Sequence, residues 1–562
     1  MIELKLRNIL RQVKNDNPQK RYNALDELFV YKSTENLEVQ IDVLKDMIKT
    51  AAGTFPEPVD RWDNPSYYLT DFVCDFPMAE VVESLIKHFD GLSLLAKERA
   101  TEFLLGTENE KIFFFLEEKL VGLINDSEEF VIPVTELSSY PVLSRDILDK
   151  TLSKLQSSHY KYMMYDLILA VNASGLELGY KSEAILPSIL EDYHGTKQQY
   201  MKFDSDYSTK YVYSSWKDNY FYIRSRMRLF ISLMEYYFTS ETENELKEAL
   251  QFRDPVIKSE AMLACLAKNL PVEPKVIYDC AENIESAEMV YWELHSKNRE
   301  HLYPIKDGKQ QHLAKTRLFS TIINLPEDEE GVGHFPENIQ VIDKIDTENF
   351  YGQPVRYLMM SFEELGRTYV GWVGGFALED GDDTAHLWDG TYTEFVELDS
   401  MLIDEHKQVF FKSREEEKAD YMNSVYFESK PKLSKGLWFF IALVITHWVR
   451  IALDGFQGPF WPSLAFTALG GALALYELQK NKTRSISIVG QQLVMRDGKK
   501  AQNIALHDIK RVEYNKKHIM VYGRDKQLAL KFPLKWVRYE LFYHHMKEHT
   551  SHLKETPFVQ PY

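Results

Sequence analysis

Residues 437–453, LWFFIALVITHWVRIAL, and 460–478, FWPSLAFTALGGALALYEL, decide how the rest of the 562-residue chain is read. Each run is near the lower limit of the roughly 17–25 apolar residues that cross a bilayer as a helix. Between them, Asp454-Gly455-Phe456-Gln457-Gly458-Pro459 is a turn-forming stretch. Trp438, Trp448, Phe460 and Trp461 sit near the ends, where aromatic belts form. Arg450 and His447 fall inside the first run, and Glu477 closes the second. Arg450 lies one helical turn from Asp454 and reaches an interface by extending its side chain. The alternative is a buried helical hairpin of a soluble domain. The reading adopted is a two-helix transmembrane hairpin over 436–479, with small residues at 468–472 for close helix packing. Lys430, Lys432 and Lys435 precede it, and Lys480, Lys482 and Arg484 follow. The positive-inside rule then predicts an inner (cytoplasmic) membrane location, with both large parts in the cytoplasm and 454–459 outside.

Charge divides along the same line. The chain carries a formal net charge of -19. Residues 480–562 hold 17 Lys and Arg against 7 Asp and Glu, a net of +10, which leaves -29 on the first 479 residues. An acidic body argues against a general nucleic-acid binder. The basic tail predicts contact with something anionic: a lipid headgroup, or the protein's own acidic body. The candidate contacts are Lys480, Lys482, Arg484, Lys499, Lys500, Lys510, Arg511, Lys516 and Lys517. Cys74, Cys265 and Cys280 are widely spaced, with no CxxC, so no disulfide framework is expected.

Ahead of the apolar runs, residues 1–300 read mostly as amphipathic helices. Ile2, Leu4, Leu6, Ile9, Leu10 and Val13 form the first stripe, and similar patterns recur at short intervals. Residues 195–219, rich in Tyr, Lys, Ser and Asp, read as a loop inserted among these helices. Two places look alike. Asn15-Asp16-Asn17-Pro18 is followed by Arg21, Ala24 and Leu25, and Arg253-Asp254-Pro255 by Lys258, Ala261 and Leu263. In each, a turn with Asp or Asn and Pro opens a helix, and a basic residue and a small Ala follow. This resembles HEAT-type helical repeats, and the resemblance implies an α-solenoid-like body that presents a surface to a protein partner.

The period changes near residue 339. Val355 to Phe362, Thr368 to Phe376, Thr391 to Glu397 and Gln408 to Lys412 are strand-like, separated by Asp and Gly turns. A small antiparallel β region over 339–413 is expected, then a charged linker over 414–435. Motifs of chemistry are few. There is no P-loop, GxGxxG, GxSxG or HExxH. Glu379, Asp380, Asp382, Asp383 and Asp389 with His386 form an acidic cluster whose spacing fails for an EF-hand loop. His545 and His549 share a helical face near His544 and His552, but no further motif completes a zinc site. No catalytic residue, metal or cofactor is assigned.

After the runs, short strands alternate around Ile486 and Ile488, then Leu493 to Arg496, with Asp497-Gly498 as a hairpin signal. Further strands follow to Pro533, and a final helix carries Trp536, Tyr539, Tyr543 and Met546 at helical spacing. The segment from Asn503 to Glu513, NIALHDIKRVE, is similar to the strand pattern of bacterial pleckstrin-homology-like domains that follow a membrane hairpin. That resemblance implies a β-barrel with a closing helix over 480–553, placed at a membrane. The whole reads as a multidomain chain: helical body, β region, hairpin, basic barrel. The expected function is a membrane-anchored interaction or scaffold protein, with the barrel on the inner leaflet. The alternative is a membrane-tethered enzyme with a site in the β region.

Overall fold

The structure is a computed structural model and describes residues 2–33, 39–76, 78–107, 110–176, 179–181, 185–205, 214–324, 335–349, 352–364, 366–378, 387, 391–429, 467, 484–497, 500–514, 518–524, 527–533, 542 and 546–547. The chain divides into two compact units, one formed by 1–136 together with 416–562, the other by 137–415.

In the first unit, seven helices come first: α1 (Ile2–Gln12), α2 (Pro18–Lys32), α3 (Ile41–Ala51), α4 (Pro65–Cys74), α5 (Ala79–His88), α6 (Leu94–Leu105) and α7 (Glu110–Asp126). Their starts are written locally. Asn17 caps α2 by accepting from the Gln19 and Lys20 amides, with Pro18 in the first turn. Asn64 and Ser93 cap α4 and α6 in the same way. Arg21 of α2 is almost fully buried against Asp63, whose carboxylate also accepts from the Val59 amide at 3.1 Å. Arg21 donates as well to the Asn15 carbonyl at 2.8 Å, so the turn before α2 and the loop before α4 are tied to one guanidinium.

A short α8 (Val134–Ser138) leads into the second unit. There follow α9 (Pro141–Thr151), α10 (Lys161–Ala173), α11 (Ile185–Asp204), α12 (Ser214–Tyr236), α13 (Ser240–Ala249), α14 (Pro255–Ala267), α15 (Pro274–Glu282), α16 (Ala287–Ser296) and α17 (Lys309–Ile323). Successive helices pack on one another, α11 on α12, α12 on α14, and α14 through α17 in order. The loop expected over 195–219 is largely helical. α11 continues through Gly195 to Asp204, and α12 begins at Ser214. Tyr200 is the reason: it is fully buried, donates to Asp204 at 2.5 Å and accepts from the Asp254 amide at 3.2 Å.

Four antiparallel strands complete this unit in sequential order: β1 (Glu337–Glu348), β2 (Pro354–Glu364), β3 (Arg367–Ala377) and β4 (Thr391–Glu397). The sheet is covered on both faces. Leu358, Met360, Phe362, Val373 and Phe376 pack on Leu318, Phe319 and Ile322 of α17. Val355, Tyr357, Met359 and Trp372 pack on Phe410 of α18 (Ile403–Met422), with Trp372 stacked on Phe410 at 4.0 Å. The glycines of β3 permit this closeness. A Cβ on Gly374 would lie 2.6 Å from the Tyr357 backbone, and one on Gly371 would lie 2.9 Å from Leu318. Gln408 to Lys412, expected as a strand, is therefore helix. The helical register sets Phe410 on the sheet with Phe411 half-buried beside it, while Gln408, Val409 and Lys412 are exposed.

The remaining strands are β5 (Val425–Ser429), β6 (Arg484–Val489), β7 (Gln492–Asp497), β8 (Lys500–Ala505), β9 (Ile509–Tyr514), β10 (His518–Gly523) and β11 (Leu528–Pro533). They form two antiparallel sheets, β5-β6-β7-β8 and β11-β10-β9, and β8 touches β11. One core serves both: Tyr426, Ile486, Ile488, Leu493, Ile519, Val521, Leu530 and Phe532, closed by Phe542 and Met546. Asp497 pairs opposite Lys500, leaving a two-residue connection between β7 and β8. The segment read as a charged linker over 414–435 instead supplies the end of α18 and the whole of β5.

The transmembrane hairpin is corrected. Among the described residues no helix is long and apolar enough to cross a membrane. The stretch 436–479 itself lies outside the described residues, Thr467 apart. Both runs stand at the lower length limit, and Arg450 and His447 inside the first are costly at bilayer depth. The inner-membrane location, the orientation derived from flanking charge and the outward turn at 454–459 are withdrawn with it. What the structure shows at the flanks is a sheet. Ser429 at the end of β5 stands opposite Arg484 at the start of β6.

Candidate functional site

The second unit holds an open cleft of about 300 Å³ lined from α12, the start of α14, the turn before α16 and the end of α17. Phe221, Val256, Phe319 and Ile323 supply apolar wall, and Arg224, Ser225, Arg228, Glu285, Ser320 and Asn324 supply polar groups. On α12, Phe221, Arg224, Ser225 and Arg228 follow at one-turn spacings and share a face.

Asp254 fixes the inner end. Its carboxylate caps α14, accepting from the Val256 and Ile257 amides at 2.9 Å each, and it also accepts from the Tyr220 hydroxyl and from Arg224 Nε. Arg224, itself buried, reaches on to Glu285 at 2.5 Å. One guanidinium thus joins two carboxylates, and neither acid is left as a bare charge. A turn further along α12, Arg228 donates through Nε to Glu260 at 3.0 Å and through Nη2 to Met289 Sδ at 3.2 Å. Glu260 accepts from Ser232 at 2.6 Å with its other oxygen. The Arg228 side chain is 43% exposed, and its Nη1 has no partner among the described residues. This nitrogen, the exposed Ser225 and Ser320, and the side-chain oxygen of the exposed Asn324 are the polar groups the cleft offers to a ligand.

The carboxylates of the cleft are committed to arginines, and no titratable pair in it is arranged as nucleophile and base. Sequence reasoning does not reach it because apolar periodicity locates a helix by the face it buries and does not say which polar residues line a cleft. The signal was present in the period of Phe221, Arg224 and Arg228, but Glu285 and Phe319 join from distant positions.

The sequence-derived basic residues fare differently. Lys480, Lys482, Lys499, Lys516 and Lys517 lie outside the described residues. Arg484 pairs with Asp497 at 3.2 Å. Arg511 pairs with Glu513 at 3.0 Å and lies over the Tyr522 ring. Lys500 and Lys510 are exposed, with no partner among the described residues, but they stand on strands of different sheets. Arg484 and Lys500 stand on either side of Asp497 on neighbouring strands, while Lys510 and Arg511 lie on β9 of the other sheet. The acidic cluster (Glu379, Asp380, Asp382, Asp383, His386 and Asp389) and the histidines His544, His545, His549 and His552 lie outside the described residues. Among the described residues no group of three or more His, Cys, Asp or Glu is placed to hold a metal. The three cysteines are buried thiols, and burial pushes Cys265 up to about 11.

Compared with protein-family models, with curated proteins and with solved structures, the chain matches none.

Proposed function

We propose that the chain is an interaction protein whose helical body binds a protein partner at the cleft between α12, α14 and α17. The cleft carries this reading. It combines an apolar wall, an arginine with a free donor and a rim of small hydroxyls, which is the composition of an anchor site at a protein interface. The helix-opening Asn17-Pro18 and Asp254-Pro255 turns, and the stacking of neighbouring helices, support the resemblance to HEAT-type bodies, which present surfaces of this kind. The two-sheet domain with its single core supports the pleckstrin-homology-like resemblance, and on this reading it is a second binding module of the same scaffold.

The test uses the full chain as bait. Wild type is compared with Ser320→Trp, which fills the cleft from an exposed position, and with Lys20→Glu, an exposed position of the other unit, as a control. A partner retained by wild type and by Lys20→Glu and lost by Ser320→Trp is the expected result. Equal capture by all three places the partner surface elsewhere and refutes the assignment.

A further inference from the structure

Resting on the interaction reading, we propose that the occupant of the cleft is an uncharged peptide segment that inserts an apolar side chain and offers a main-chain carbonyl to Arg228 Nη1. Charge decides the class. Around the cleft, Arg224 and Arg228 face three carboxylates, Asp254, Glu285 and Glu260. A ligand carboxylate would be a fourth, so an anion gains little from arginines already neutralised. A cation fares no better. Both oxygens of Asp254 and both of Glu260 already accept hydrogen bonds, and Glu285 is held by Arg224. What stays open carries no net charge: a donor, Arg228 Nη1, with the Asn324 side-chain oxygen and two serine hydroxyls, among the apolar residues Phe221, Phe319 and Ile323. A neutral acceptor fixed beside an apolar group satisfies both and adds no charge.

Size agrees. At about 300 Å³ the cleft is at the bottom of the range for small-ligand pockets, roughly 300–1,000 Å³, which suits one anchoring residue and its main chain.

The experiment titrates the purified full chain with three probes: N-acetyl-leucyl-leucine amide, the same dipeptide with its free carboxylate, and N-acetyl-leucyl-lysine amide. Ligand-observed NMR reads binding. The neutral amide should bind about tenfold tighter than either charged probe. Its affinity should change less than about twofold from low salt to about 0.5 M, because no net charge is neutralised. Ser320→Trp should abolish binding. Arg228→Gln, which removes Nη1 and leaves Glu260 without its counter-charge, should weaken the neutral amide and shift the preference toward the lysine probe. Tighter binding of the carboxylate, a steep loss with salt, or no binding of any probe overturns the proposal. If partner capture still depends on Ser320 when the probes fail, the interaction reading stands and only the nature of the occupant is wrong.

Discussion

Arg21 shows what one side chain does in the helical body. It was legible in the sequence as the basic residue after an Asn-Pro turn, and the cap that Asn17 forms was equally legible, because a cap is made within four residues. Its partner was not. Asp63 arrives from the loop before α4, and only packing brings the two together. The hydrogen bonds from Arg21 hold the Asp63 carboxyl below its ordinary range, with a smaller contribution from the Val59 amide. Asp63→Asn leaves a buried guanidinium without its counter-charge and should cost about 3–5 kcal/mol in urea unfolding at neutral pH. The sign of the pH dependence follows from the lowered value. The contribution of the pair is complete above the unfolded carboxyl's pKa of about 4 and is lost as pH falls through the lower folded value. The gap between wild type and Asp63→Asn should therefore hold steady down to about pH 4 and narrow below it. A gap that does not narrow there would mean that the pair is not the source of the cost.

Elements were legible where their signals are local. The hairpin at Asp497-Gly498 and the helix starts at Pro18 and Pro255 are of this kind. Elements failed where a distant partner decides. Gln408 to Lys412 reads equally as strand or helix over five residues. Trp372, from β3, settles it by accepting the Phe410 ring on a helical face. β5 was invisible for the same reason: its partner β6 lies beyond 430–483. The cleft belongs to this class too, since Glu285 and Phe319 join α12 there from distant positions in the chain. The pairing of Ser429 with Arg484 gives a direct test. Directly opposed residues can be joined by a two-residue turn. Replacing 430–483 by Asn-Gly should leave the two-sheet domain folded, with Tyr426 still in its core. Thermal unfolding of the shortened chain, followed by near-ultraviolet circular dichroism, should keep the cooperative transition of this domain. Its disappearance would show that 430–483 is required for the fold.

At the scale of the whole molecule, the boundary between units does not follow the boundary of charge. The sequence divides at 480, between an acidic body and a basic tail. Contacts divide at 136 and 416. Residues 137–415 are continuous, contain the cleft and both faces of the four-stranded sheet, and bury their own apolar clusters. Expressed alone, this fragment should be folded and should melt cooperatively with mixed helical and β circular dichroism. A non-cooperative melt would show that it depends on the other unit. The join between β5 and β6 has one more consequence. Covalent order and spatial order part company there. The chain leaves the sheet at Ser429 and re-enters at Arg484 about 5 Å away. A single backbone cut between those residues would make two polypeptides without making two particles, since Tyr426 on one piece remains enclosed by Ile486, Phe532 and Phe542 on the other. The nicked protein would run as two bands in detergent and elute as one species in native buffer, a complementing pair assembled from its own halves.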